Sequence, residues 1–153
     1  MVSVALICTA NRCRSIMAHA ILTDEAQKRS LDIDIYSAGI LDFSDQPPLD
    51  ETSNTCLHFK TPPPKLMSTW VAQLPLASID RFLVMEQQHA DALENQFGIS
   101  ADRITLLGSF DPKQRGAEIS DPFFSYSEEV YRSSYRLIRE CIIEYLNTAN
   151  ELR

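Results

Sequence analysis

The sequence predicts an α/β protein: a three-layer α/β/α fold with a four-stranded parallel sheet in the order 2-1-3-4 and helices on both faces. Three observations lead to the parallel sheet and its two covering layers. Short apolar runs alternate with segments of helical period along most of the chain, and strands separated by helices pair in parallel through right-handed crossovers. The first run, Val2 to Cys8, is almost continuously apolar, as in a strand covered on both faces. The 153 residues show no repeat, low-complexity tract or linker, so a single domain over residues 1–153 is expected.

Each element has its own reason. Val2–Cys8 is the first strand, followed by the polar loop Thr9 to Arg14. Ser15 precedes Ile16-Met17-Ala18-His19-Ala20-Ile21-Leu22, apolar at helical spacing, and is a candidate N-cap for a helix running to about Arg29. Leu31 to Tyr36 alternates and forms the second strand, ending at Ser37-Ala38-Gly39. Pro47-Pro48 opens a second helix reaching Phe59, and Thr61-Pro62-Pro63-Pro64 breaks it. Phe82 to Met85 is the third strand. Gln87 to Phe97 is a helix closed by Gly98, and Arg103 to Leu107 is the fourth strand. Phe110 to Phe124 is a loop with two Asp-Pro pairs, Asp111-Pro112 and Asp121-Pro122. The tail is one amphipathic helix, with Val130, Ser134, Leu137, Ile138, Cys141, Ile142, Tyr145 and Leu146 on its inner face. Glu128-Glu129 compensates the dipole of its first turn.

The formal charge of −7 opposes nonspecific binding of nucleic acid or of a membrane surface, both of which need a basic face. The first apolar run is too short for a membrane span and lacks a basic leader, so a cytoplasmic protein is expected. Four cysteines without CxxC spacing and three histidines argue against a zinc site, and no metal or cofactor is expected. Free thiols are favoured over disulfides. Four glycines, Gly39, Gly98, Gly108 and Gly116, leave none for a glycine-rich phosphate loop.

The chemistry concentrates after the first strand. In open parallel sheets, ligands bind at the carboxyl ends of the strands. There Cys8 and Arg14 form a Cys-x5-Arg pair. The N–H groups of a tight loop entering a helix N-terminus make an anion cradle, and the same field favours a thiolate, the nucleophilic form of cysteine. An arginine fork can hold two phosphate oxygens at once. A hydroxyl at Ser15 can hydrogen-bond the Cys8 sulfur.

Cys8-Thr9-Ala10-Asn11-Arg12-Cys13-Arg14-Ser15 resembles the phosphate-binding loop of the low-molecular-weight protein tyrosine phosphatases, where it follows the first strand. The likeness continues through Met17-Ala18, Ser37-Ala38-Gly39, Val84-Met85-Glu86, Leu106 to Pro112 and Asp121-Pro122-Phe123-Phe124. The resemblance implies hydrolysis of phosphotyrosine and aryl phosphate monoesters through a phosphocysteine intermediate, on phosphotyrosine-containing protein substrates. It implies Cys8 as nucleophile, Arg14 as clamp and Asp121 as general acid and then base. Amides from Thr9 to Arg14 would hold the phosphate or another oxyanion, and Asn11 would order the loop, with Ser37 and Asp42 supporting it. Phe43, Phe123 and Phe124 would wall a slot for a phenyl ring.

The sequence departs from the family pattern at Ala10, usually glycine; Ile16, usually proline; His19, commonly glutamate; and Leu66 and Thr69, where a bracing histidine and arginine are usual. Cys13 is either a small packing residue or a resolving thiol for oxidised Cys8. Arg12 is either a solvated loop charge or a substrate contact at the mouth. Cys56 and Cys141 are expected in the core, and His19, His58 and His89 at the surface or packed on helices. Two rivals are an arsenate reductase of the same fold, which needs two further cysteines near the loop, and a catalytically weak phosphotyrosine-binding module.

Overall fold

In the computed structural model, residues 1–152 are described. The sheet has four parallel strands, β1 (Val2–Cys8), β2 (Ile33–Gly39), β3 (Arg81–Val84) and β4 (Ile104–Leu106), in the order β2-β1-β3-β4. β1 lies between β2 and β3, with Cys8 level with Gly39 and Ile7 level with Val84. The alternation of a strand explains its composition. Val4, Leu6 and Cys8 point into one apolar cluster, whereas Ala5 and Ile7 point into the other. Both faces are covered, so both sets must be apolar.

The larger cluster lies under α1 (Arg14–Lys28), α2 (Asp50–His58) and α4 (Glu128–Thr148). The smaller one lies under α3 (Gln87–Asn95) and short helical turns. This is the expected three-layer arrangement. Among the described residues, no helix is long and apolar enough to cross a membrane.

Several boundaries differ from expectation. β2 starts at Ile33, because Ser30 takes a left-handed φ of 54° and Leu31 is held back on α1 by its N–H to the Ala26 carbonyl at 2.9 Å. α2 starts at Asp50, beyond the prolines, and has Leu49 at its N-cap. α3 ends at Asn95 and β4 at Leu106, where the chain tightens into a 3₁₀ turn over Leu107–Phe110.

The inner face of α4 also differs. Tyr131 and Tyr135 are buried with Ile138, Cys141, Ile142, Tyr145 and Leu146, whereas Val130 is 41% exposed and Ser134 and Leu137 are only partly buried. Tyrosine offers the larger apolar body if its hydroxyl finds a partner. Tyr135 stacks on Phe59 at 4.2 Å between centroids, and its hydroxyl meets Thr61 Oγ1 at 2.7 Å. That partner is remote in sequence, so the helical period alone favoured Val130 and Ser134.

Ser127 caps α4, its Oγ accepting from the Val130 N–H at 3.4 Å, and Glu128 and Glu129 occupy the first turn as expected. His19, on α1, is buried and meets Ser37 Oγ of β2 through Nδ1 at 2.9 Å. Ser37 therefore ties helix to sheet and is not among the hydrogen-bond partners of the loop.

Burial lowers the His19 pKa from 6.5 to about 4. The folded chain keeps this imidazole neutral while the unfolded chain protonates it, so stability falls as pH drops from about 6.5 towards 4, by roughly 3 kcal/mol at most. Urea unfolding midpoints across that range should decline, and His19→Gln should flatten the decline. An undiminished slope in His19→Gln would contradict the assignment.

Candidate active site

The loop between β1 and α1 owes its shape to residues that hold its carbonyls from behind. The Cys8 and Thr9 carbonyls accept from the N–H groups of Ile40 and Leu41, and the Arg12 carbonyl from that of Leu49, each at 3.1 Å. Gly39 runs against the loop so closely that a Cβ there would stand 2.6 Å from the Thr9 carbonyl oxygen. The left-handed residue of the loop is Asn11, with φ 57°, and Ala10 does not share that conformation. The usual glycine is thus dispensable at Ala10, and the unusual backbone falls on a residue type that tolerates it.

Asn11 is buried behind the loop. Its Oδ1 accepts the Thr69 N–H at 2.8 Å and its Nδ2 donates to Ser15 Oγ at 2.7 Å. With that lone pair of Ser15 taken, its hydroxyl proton is free to point at Cys8 Sγ, 3.0 Å away. A line of donors therefore runs from the Thr69 backbone to the Cys8 sulfur. The brace comes from a backbone amide, so the identity of the Thr69 side chain matters little, and Leu66 is exposed. Asp42 is exposed and takes no part in this bracing. Ser15 serves the sulfur as the sequence suggested, but it is not the N-cap. α1 begins one residue earlier, at Arg14, with Cys13 at the cap.

Arg14 is 1% exposed. Its Nη1 donates to Glu86 Oε2 at 2.5 Å and to the Ile119 carbonyl at 2.8 Å. Its Nη2 donates to Thr9 Oγ1 at 3.2 Å and stands 3.5 Å from Asp121 Oδ2. Burial works to raise the Glu86 pKa, but the hydrogen bond and charge of Arg14 outweigh it and hold the carboxyl below its usual range. Ile119 is fixed from its other side too, its N–H donating to the Met85 carbonyl at 2.9 Å. Asp121 follows two residues later and caps a short 3₁₀ turn, Pro122–Phe124, accepting the Phe123 N–H at 3.0 Å.

Cys8, Thr9, Ala10, Arg12, Cys13, Arg14, Leu49, Asp121, Phe123 and Phe124 line one cavity of about 280 Å³. The structure thus brings together most of the expected site residues. Asn11 and Ser15 stand behind the loop. Phe43 is not part of the lining: it lies under the Arg12 guanidinium, 6.0 Å from its ring centroid, while Arg12 Nε donates to the Pro47 carbonyl at 2.7 Å. Leu49 provides an apolar wall in its stead. All four cysteines are free and buried. Burial pushes the Cys13 thiol up to about 12, so it remains protonated at neutral pH. Among the described residues, no three His, Cys, Asp or Glu side chains are grouped to hold a metal ion.

Glu86, His89 and Leu49 were not foreseen in the site. Glu86 ends the Val84-Met85-Glu86 segment, and β3 neighbours β1, so a parallel-sheet reading could have placed that carboxylate beside the loop. His89 lies on α3 with no local pattern to mark it. It is fully buried and meets Thr9 Oγ1 at 2.9 Å.

A thiol at the end of a central strand, cradled by a loop that opens a helix and flanked by a buried arginine and a carboxylate, defines a covalent phosphoryl-transfer type of α/β protein. The chain matches the model of the low molecular weight phosphotyrosine protein phosphatase family over residues 3–153, and it belongs to that family. It is 30% identical to low molecular weight protein-tyrosine phosphatase A of Mycobacterium tuberculosis over 84% of this chain and 82% of that protein. It is 26% identical to the protein-arginine-phosphatase of Bacillus subtilis over 91% of each. The crystal structure of a low molecular weight phosphotyrosine phosphatase from Vibrio cholerae O395 superposes with a TM-score of 0.85 at 25% identity, covering 96% of this chain and 95% of that one.

Asn11→Ala removes two buried hydrogen bonds and puts a Cβ residue without a polar side chain at positive φ, so it should cost about 2–4 kcal/mol. Asn11→Gly keeps the backbone and should cost less. Thermal melts of the two variants check the order, and equal losses would contradict the role given to φ.

Proposed function

We propose that this protein is a protein tyrosine phosphatase that hydrolyses phosphotyrosine and other aryl phosphate monoesters, acting on phosphotyrosine-containing proteins. The observation that carries the proposal is the convergence of Cys8, Arg14 and Asp121 on one cavity that Leu49, Phe123 and Phe124 also line. Apolar walls suit a phenyl ring; the polar floor suits a phosphoryl group.

The proposed reaction has two displacements. The Cys8 thiolate attacks phosphorus in line, forming the S–P bond as the P–O bond to the phenolic oxygen breaks. Asp121, protonated, gives its proton to that oxygen so that a neutral phenol leaves. Arg14 and the loop amides from Thr9 to Arg14 take up the charge of the equatorial oxygens. Asp121, now ionised, then takes a proton from water, whose oxygen attacks phosphorus and returns the Cys8 thiolate with inorganic phosphate. Ser15 stabilises the sulfur as nucleophile and as leaving group through its hydrogen bond. No step needs a cofactor, since the chain supplies nucleophile, acid and counter-charge.

Residues 1–153 are proposed to act as one catalytic domain. The free cysteines support a cytoplasmic setting. Cys56 is fully buried in the core, away from the cavity lining, which leaves little for an arsenate-reducing thiol relay. Asp121 at the mouth favours an enzyme over a phosphotyrosine-binding module. The Bacillus subtilis relative named a protein-arginine-phosphatase makes phosphoarginine peptides the one alternative substrate to test.

The purified protein should release phosphate from p-nitrophenyl phosphate and phosphotyrosine peptides in the presence of EDTA. Cys8→Ser should abolish turnover yet retain phosphate-analogue binding. Asp121→Asn should slow substrates with poor leaving groups most. Wild-type turnover by Cys8→Ser would overturn the mechanism, an equal loss across leaving groups would overturn the acid role, and faster turnover of phosphoarginine would redirect the substrate.

A further inference from the structure

His89 and Thr9 are joined in a way the mechanism above does not use. His89 is fully buried. Its Nδ1 faces the backbone N–H of Glu86 at 3.1 Å. A backbone N–H only donates, so Nδ1 must be the bare, accepting nitrogen, and the ring proton sits on Nε2. Burial and the Arg14 charge, partly opposed by Glu86, lower the His89 pKa to about 4, so the imidazole is neutral at physiological pH. The protonated Nε2 stands 2.9 Å from Thr9 Oγ1 and 3.9 Å from Glu86 Oε2, so its hydrogen bond goes to Thr9.

Thr9 Oγ1 also receives Arg14 Nη2–H at 3.2 Å. A hydroxyl oxygen has two lone pairs and one proton. Both lone pairs are now filled by groups that can only donate, so the remaining capacity of the hydroxyl is as a donor. Thr9 lines the cavity with Cys8, Arg14 and Asp121.

We infer that the Thr9 hydroxyl is a further hydrogen-bond donor to the bound phosphoryl group, acting beside the loop amides, and that His89 is the positioning residue that forces it into that role. The inference rests on the reading of this loop as a phosphate site and adds a side-chain contact to it. His89 touches no substrate; it acts by occupying the lone pair through which Thr9 would otherwise accept. Arg14 occupies the second lone pair and is at the same time held in place by it.

The test compares Thr9→Val, Thr9→Ser, His89→Leu, His89→Gln and the double variant Thr9→Val/His89→Leu. The readouts are the competitive inhibition constant of inorganic phosphate and kcat/KM for p-nitrophenyl phosphate, with thermal melts to confirm folding. Thr9→Val, nearly isosteric, should weaken phosphate inhibition and lower kcat/KM by about tenfold or more, the weight of one hydrogen bond to a charged group. Thr9→Ser should recover most of that loss. His89→Leu should show a similar loss and add less than about twofold on the Thr9→Val background, as expected for residues acting as a unit. His89→Gln, which restores an N–H donor, should recover part of it.

Thr9→Val within about twofold of wild type would overturn the donor role. Full multiplicative losses in the double variant would overturn the action of His89 through Thr9. If His89→Leu does not fold, the Thr9→Val and Thr9→Ser pair decides the donor role, and the added variant Thr9→Val/His89→Gln decides the coupling: the loss caused by His89→Gln alone should vanish on the Thr9→Val background, and its full persistence there would overturn the action through Thr9. A wild type that neither turns over p-nitrophenyl phosphate nor is inhibited by phosphate is a different failure, that of the phosphatase reading.

Discussion

The buried guanidinium of Arg14 is the constraint on which the site depends. Taking such a cation out of water costs several kcal/mol unless its donors are paired. Glu86 supplies the counter-charge from the N-cap of α3, two residues past β3, the Ile119 carbonyl fills a further donor, and Thr9 takes one from the loop. Satisfying the arginine therefore draws three separated stretches of chain into one place. Because Ile119 is also bonded to Met85, the segment leading to Asp121 cannot drift far from the loop. The same bonds leave one edge of the fork near Asp121, 3.5 Å away, beside the cavity. An arginine held this way is preorganised for an incoming dianion, so little reorganisation is needed when charge develops.

The loop resolves a tension between composition and geometry. With few glycines in the chain, one residue must still take a left-handed backbone. Asn11 does so and spends both ends of its amide on bracing, towards Thr69 and towards Ser15. The residues that depart from the family pattern at Leu66 and Thr69 leave the brace intact because a main-chain amide provides it. The glycine that matters to the loop is Gly39, outside it, where the close approach of the Thr9 carbonyl excludes a Cβ. An acidic protein of net charge −7 thus gathers Arg14, Arg12 and the start of α1 at one cavity, with Asp121 on its wall.

Much of this was legible from local pattern. Alternation of strands and helices gave the layers and the parallel sheet, and the run from Cys8 to Ser15 gave the loop with its sulfur–hydroxyl contact. What escaped depends on partners far apart in sequence. Tyr131 and Tyr135 replace Val130 and Ser134 on the inner face of α4 because Phe59 and Thr61 receive Tyr135. Glu86 and His89 enter the site because β3 is the neighbour of β1, and nothing in the segment from Gln87 to Asn95 marks His89 as buried. Phe43 was expected in the slot on resemblance, yet it lies under Arg12, and Leu49 forms the wall because the α2 start is tied to the Arg12 carbonyl.

The central claim is that phosphorus passes through the sulfur of Cys8. Rapid acid quench of the enzyme with an isotopically labelled aryl phosphate tests it most directly. The account predicts label bound to protein within the first turnover, mapped by peptide analysis to Cys8 as an S-phosphoryl group, and accumulating further in Asp121→Asn when the leaving group needs no protonation. Full-rate turnover with no labelled protein at any time, or label on another residue, would contradict it.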